Sequence, residues 1–228
     1  ARINPPQWRH VRRTERFSLT GCHTMRYRRL SGFIVGAVMI LCGGGCTESV
    51  SLKVESEVPV ALVQKIPLGV AVYYPPAFGD YRYTEDSDER PQWDIASGDA
   101  QVAMFDRVLV STFTEVTHLG TEPGPGVVSG DLGVVPSIID MQLATPAETG
   151  FGYYEAWFRY RITLFDRDGT QRDPWDIAAY GKAPKKRFTM QTEGLSQAIA
   201  YALRDIGAKL ATGFRQQPAV ARALEGAP

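Results

Sequence analysis

Residues 154–164 read YEAWFRYRITL, and the alternation within them decides the fold. Tyr154, Ala156, Phe158, Tyr160, Ile162 and Leu164 fall on one side of a period of two, and Glu155, Trp157, Arg159, Arg161 and Thr163 on the other. Successive side chains of a strand point to opposite faces, so this is a strand with one covered and one wetter face, as antiparallel pairing produces. Asp166, Arg167, Asp168 and Gly169 then supply turn residues that send the chain back through Ile177 to Lys182 as a hairpin.

Working outward, Leu195, Ile199, Ala202, Leu203, Ile206, Leu210 and Phe214 advance by three or four, an apolar stripe on a helix that should end near Pro218. Upstream, LGVAVYY from Leu68 to Tyr74 is a nearly continuous apolar run stopped by Pro75 and Pro76, as expected of a strand buried on both faces. Val102, Phe105, Val108, Leu109, Thr112, Phe113 and Val116 then recur at helical spacing, with Ser97 or Asp99 available as N-cap and His118 near the helix end. Residues 132–143, LGVVPSIIDMQL, give another strand, interrupted or bulged at Pro136. The order β-α-β-β-β-α predicts a two-layer α/β (α+β) sandwich, a mixed sheet of about four to five strands with two helices on one face.

The formal charge sums to zero, with twenty-five basic and twenty-five acidic residues. Eight of the basic and one of the acidic residues lie before Cys46, leaving seventeen basic and twenty-four acidic residues after it. A basic leader thus precedes an acidic body, and an acidic body lacks the Lys/Arg surplus that phosphate backbones require, so no nucleic-acid partner is expected. Within the leader, Met25 is followed by Arg26, Arg28 and Arg29, an apolar run from Leu30 to Cys42, and then Gly43, Gly44, Gly45 and Cys46. This is the layout of a secretory signal peptide, its run too short for the roughly 20 residues that span a bilayer.

The small residues before Cys46 resemble the lipobox of bacterial lipoproteins, although Leu41 lies further upstream than the family's pattern and Gly43 stands where Leu is usual. The resemblance implies cleavage before Cys46 and acylation of its sulfur. Thr47, where Asp would favour inner-membrane retention, implies the periplasmic face of the outer membrane. The expected organisation is therefore 1–24 as an upstream extension ahead of the true start, 25–45 as signal peptide, 46–66 as tether, 67–217 as a periplasmic α/β domain and 218–228 as a tail. The layout of strands and helices after Cys46 is similar to that of the curli-secretion, penicillin-binding-protein-activator and polysaccharide-export lipoproteins. That resemblance implies an envelope accessory or assembly factor acting through protein-protein contacts, or else a subunit of a lipid or polysaccharide export machine, free to form homo-oligomers through a sheet edge.

Residues that carry chemistry are scarce. His10 and His23 precede Cys46, which leaves His118 alone, and no nucleophile elbow, P-loop or dinucleotide-binding glycine pattern is present. One histidine without a free thiol makes a zinc site improbable, and the Asp166, Asp168, Asp173 run lacks EF-hand spacing; neither metal nor cofactor is expected. A carboxylate-dependent hydrolase would draw on the run Glu85, Asp86, Asp88, Glu89 and Asp94, more simply a solvated loop. The more suggestive segment holds Tyr73, Tyr74, Phe78, Tyr81, Tyr83 and Trp93 among prolines and charges. Tyr and Trp bury much area at small entropy cost, so these six are the candidate partner-binding residues, with rings folded back to cover the open side of the sheet beside Trp157 as the competing reading. Lys182, Lys185, Lys186 and Arg187 form the basic cluster of the body, fit to meet an anionic headgroup or an acidic partner, or simply a solvated charged turn.

Overall fold

The computed structural model describes residues 49–54, 59, 61–85, 92–172, 174–187 and 190–226. In chain order the elements are β1 (Ser49–Lys53), β2 (Ile66–Val72), α1 (Pro76–Gly79), β3 (Arg82–Glu85), β4 (Gln92–Ala96), α2 (Gly98–Thr112), β5 (Phe113–His118), β6 (Leu132–Ala144), α3 (Pro146–Thr149), β7 (Tyr153–Asp166), β8 (Trp175–Pro184), α4 (Gln191–Gly213) and α5 (Pro218–Glu225). Five strands form the main sheet in the order β5-β2-β6-β7-β8, and three form a smaller one in the order β1-β4-β3. Strand β2 is parallel to both neighbours, while β6, β7 and β8 run antiparallel, so the main sheet is mixed. The expected α/β sandwich is the observed fold class.

The alternation of β7 does what its spacing dictates. Tyr154, Ala156, Phe158, Tyr160, Ile162 and Leu164 are buried beneath the helices, and Trp157, Arg159 and Arg161 stay exposed. Helix α4 lies so close to β8 that a Cβ at Gly181 would stand 1.9 Å from the Ala198 carbonyl oxygen, so only glycine fits there. The same helix closes the outer edge of the sheet: Tyr180 donates its backbone N–H to Asp205 at 2.9 Å, and Lys209 donates to the Ala178 carbonyl at 2.8 Å. Side-chain partners thus take the place of the neighbouring strand that a bare edge invites.

Four expectations need correction. The first helix ends at Thr112, and Phe113 through His118 pair with β2 as an edge strand, because the β-branched Thr114, Val116 and Thr117 fit a pleated surface better than a helix. Pro136 causes no bulge. Val134 accepts a hydrogen bond from the Tyr73 N–H, so the backbone of residue 136 faces the same side two positions on, where β2 has already ended and no N–H is needed; the register shift lies between Ile138 and Asp140. The stretch expected to be a tether carries β1, whose Leu52, with Val54 just after the strand, packs on the core beside β4. The tail carries α5, opened by Pro218 at its first turn and holding buried Ala219 and Val220. The described residues all fall in one compact unit; residues 1–48, with the upstream extension, the signal peptide and Cys46, and Asp86, Asp88 and Glu89 of the acidic run lie outside them.

Candidate functional site

The aromatic segment divides between interior and surface. Phe78 on α1 and Trp93 on β4 are buried with Ile95, Phe105 and Tyr160 in the main core, so these two of the six candidates support the fold from within. The small sheet brings Trp93 and Ile95 inward on alternate positions of β4, the pattern a half-buried strand requires. Tyr73, Tyr74, Tyr81 and Tyr83 are half-buried, and the last three pack against that core. The fold-back reading needs correction for Phe78 and Trp93: their rings enter the core with Phe105 and Tyr160 instead of covering the open side of the sheet beside Trp157.

Tyr74 anchors a polar network at the carboxyl ends of β2 and β5. Its hydroxyl donates to Asp106 Oδ1 at 2.6 Å, and His118 Nε2 meets the same oxygen at 2.8 Å. The Tyr74 ring stacks on Phe78 at 5.8 Å and leans on His118 at 5.9 Å. Burial, and then the hydrogen bond and negative charge of Asp106, hold the Tyr74 phenol far above its ordinary range. Among the described residues no Ser, Thr or Cys hydrogen-bonds to His118. Asp106 was missed in the sequence because it stands 32 residues from Tyr74 and 12 from His118, with no periodicity to connect them.

Two open grooves mark the surface. One of about 460 Å³ runs between β1 and α4, lined by Leu52, Thr192, Ser196, Gln197, Tyr201 and Arg204 among others. The other, about 380 Å³, carries Asp80 and Asp99, and Asp99 is exposed and held by Lys53 at 3.0 Å. An exposed carboxylate beside an ammonium is unlike the desolvated acid that glycosidase-type chemistry uses. Among the described residues no three His, Cys, Asp or Glu side chains come together as a metal site, and no described helix is long and apolar enough to cross a membrane.

On the outward face of the main sheet the described residues leave Trp157, Arg159 and Arg161 of β7 exposed. Trp157 and Tyr180, 37% and 39% exposed, pack across strands with ring centres 5.3 Å apart. The charges around them are matched within the face: Arg161 forks onto Asp176 at 2.7 and 2.8 Å, and Glu155 accepts from the Tyr180 hydroxyl at 2.7 Å with Lys182 3.9 Å away. At the end of this face the basic cluster sits on the β8–α4 connection, against the turn that leads into β7, where Lys185 donates its N–H to the Gly152 carbonyl at 2.9 Å.

No family model matches the chain, and no curated protein matches it in sequence. Among solved structures, a DUF330 protein from Xanthomonas campestris is 10% identical at a TM-score of 0.48, covering 72% of this chain and 93% of its own. A homologue, assigned provisionally, of the neuraminyllactose-binding hemagglutinin from Helicobacter pylori is 9% identical at 0.40, covering 77% and 97%. A candidate lipoprotein from Caulobacter crescentus is 10% identical at 0.35, covering 58% and 86%. At these TM-scores the likenesses assign no activity.

Proposed function

We propose that the chain is a non-enzymatic bacterial lipoprotein, acylated on Cys46, held at the periplasmic face of the outer membrane and acting there as an accessory or assembly factor through protein contacts. The observation that carries this reading is the position of Cys46 between a leader and a fold. A basic n-region, an apolar run and three glycines precede it, and the first strand of the domain begins only three residues later, at Ser49. Three residues of extended chain reach about 10 Å, so acyl chains on Cys46 would keep β1 almost at the headgroups. Several acyl chains at about 0.8 kcal/mol per buried methylene hold a soluble domain stably, and confinement to the surface raises its effective concentration for a partner in the same membrane. Tyr73, Tyr74, Tyr81 and Tyr83 are the side chains we assign to that partner, with Phe78 and Trp93 fixing them from beneath.

Intact mass and membrane fractionation test the anchor, with the wild-type chain compared with Cys46→Ala. The expected wild-type product begins at Cys46, carries acyl mass and sediments with membranes, and the substitution yields unacylated protein that stays unprocessed or leaves the membrane fraction. Identical mass and fractionation of the two would overturn the lipid anchor and the tethering mechanism with it.

A further inference from the structure

The hairpin and the helix that follows it build a tip whose chemistry differs from the rest of the surface. Gly150 and Gly152 both take φ of +70°, the left-handed conformation that glycine tolerates, and the turn between them presents Phe151, 73% exposed. The β8–α4 connection lies against this turn through the bond from the Lys185 N–H to the Gly152 carbonyl, and it brings up Lys185, Lys186, Arg187 and Met190, the last also 73% exposed. Lys182 stands 3.8 Å over the Tyr153 ring at the same end. Two large apolar side chains in water, on segments that also carry exposed lysines, are what a soluble surface avoids and what an interface with anionic lipid favours.

We propose that this tip docks on an anionic bilayer surface, Phe151 and Met190 entering the headgroup layer while Lys185 and Lys186 meet lipid phosphates. The carboxylates around the tip leave its cations dominant. Glu155 is paired with Lys182 and accepts from Tyr180, which leaves the exposed Glu148, held by the Thr145 N–H, and Glu193 in the first turn of α4 against Lys185, Lys186 and Arg187. The body after Cys46 is acidic overall, so an anionic surface repels the domain in general and attracts it here. The tip also faces the side where the chain enters the fold: Leu52, six residues after Cys46, shares a groove with Thr192 and Glu193, two and three residues after Met190. An anchor at Cys46 and the tip can therefore engage one membrane together, and that last point alone rests on the lipoprotein reading.

The test uses the full chain carrying Cys46→Ala, so that no acyl group contributes and loss of tip binding stays distinct from loss of the anchor. Amide exchange of residues 149–153 and 185–187 is followed with vesicles of equal parts phosphatidylglycerol and phosphatidylcholine, with phosphatidylcholine alone, and with inorganic phosphate. Protection of these two segments on the anionic vesicles alone, with residues 159–161 on the open sheet face unchanged, is the expected result. Joint Lys185→Gln and Lys186→Gln should raise the lipid concentration for half-protection about 25-fold, from roughly fivefold per lysine at such a surface. Joint Phe151→Ser and Met190→Ser should abolish protection while the slow core amides of β7 keep their rates. No protection, equal protection on phosphatidylcholine alone, protection by free phosphate, or variants indistinguishable from the parent would each overturn the proposal.

Discussion

Strand β7 shows two surfaces made from alternate residues of one segment. Toward the helices, Tyr154, Ala156, Phe158, Tyr160, Ile162 and Leu164 are shut from water and packed against α4 and its neighbours. Away from them, Trp157, Arg159 and Arg161 are exposed, on a face whose ion pairs are exposed as well and whose rings touch each other across strands. Burial of apolar area stabilises by about 25 cal/mol per Å², whereas exposed ion pairs contribute about 0–1 kcal/mol, so the same backbone carries stability on one side and little on the other. A side that contributes little to folding is free to vary and to recognise. The outward face is therefore where substitutions should be tolerated, and the inward face is where they are to be feared.

The strongest way to break that contrast is to truncate neighbours on the two sides. Phe158, stacked on Tyr160 at 5.7 Å in the closed core, should cost about 3–5 kcal/mol as Phe158→Ala, transfer and cavity terms together. Trp157→Ala, one residue earlier, should cost less than about 1 kcal/mol, the size of a cross-strand aromatic pair. Urea unfolding of both variants reads the difference directly. Equal losses would mean that the outward face is covered and contributes to the core after all.

A subtler case lies within the buried side. The Tyr160 hydroxyl is fully enclosed and has no hydrogen-bond partner among the described residues. A buried unpaired hydroxyl costs about 1–3 kcal/mol, so Tyr160→Phe should leave stability unchanged or raise it by about 1 kcal/mol. Burial also drives the Tyr160 phenol well above its ordinary range. A raised folded-state value means that its stabilising contribution is complete below about pH 10, where the unfolded phenol is neutral, and is lost as the pH climbs past that point. Tyr160→Phe should therefore flatten the alkaline fall in melting temperature. Clear destabilisation at neutral pH would show instead that the hydroxyl has a partner, such as an ordered water.

What was legible in the chain follows the same physical division. Strands β2, β6, β7 and β8 and helices α2 and α4 could be read because long periodic or continuous apolar runs face one core. Strands β1, β3 and β4 have four or five residues each, too few for a period to stand out, and β5 follows α2 without a loop, so apolar Val116 fits either spacing. The six aromatics could be located but not assigned to inside or outside, since a ring serves both. The Tyr74, Asp106 and His118 network and the tip of Phe151 and Met190 were illegible for another reason. Each is made by contact between segments distant in sequence, and only the pairing of β7 with β8 sets Gly152 against Lys185.

The smallest expected effect tests the outward face from its electrostatic side. Hydrogen bonding to Arg161 holds the Asp176 carboxyl below its ordinary range, with partial burial opposing and the charges of Arg161 and Arg159 assisting. A lowered folded-state value means that the pair's contribution is present above the unfolded carboxylate range near pH 4 and is lost as the pH falls through the lower, folded value. Both side chains are nearly half exposed, so water and salt screen the pair, and Asp176→Asn should cost no more than about 0.5 kcal/mol at pH 7. The gap between wild type and variant should close by about pH 2 and shrink in high salt, because a screened surface pair responds to both. Melting curves across that range would show it. A gap of several kcal/mol that persists in salt would mean that Arg161 and Asp176 are shielded from solvent, which would place something over the sheet face and erase the difference between the two sides of β7.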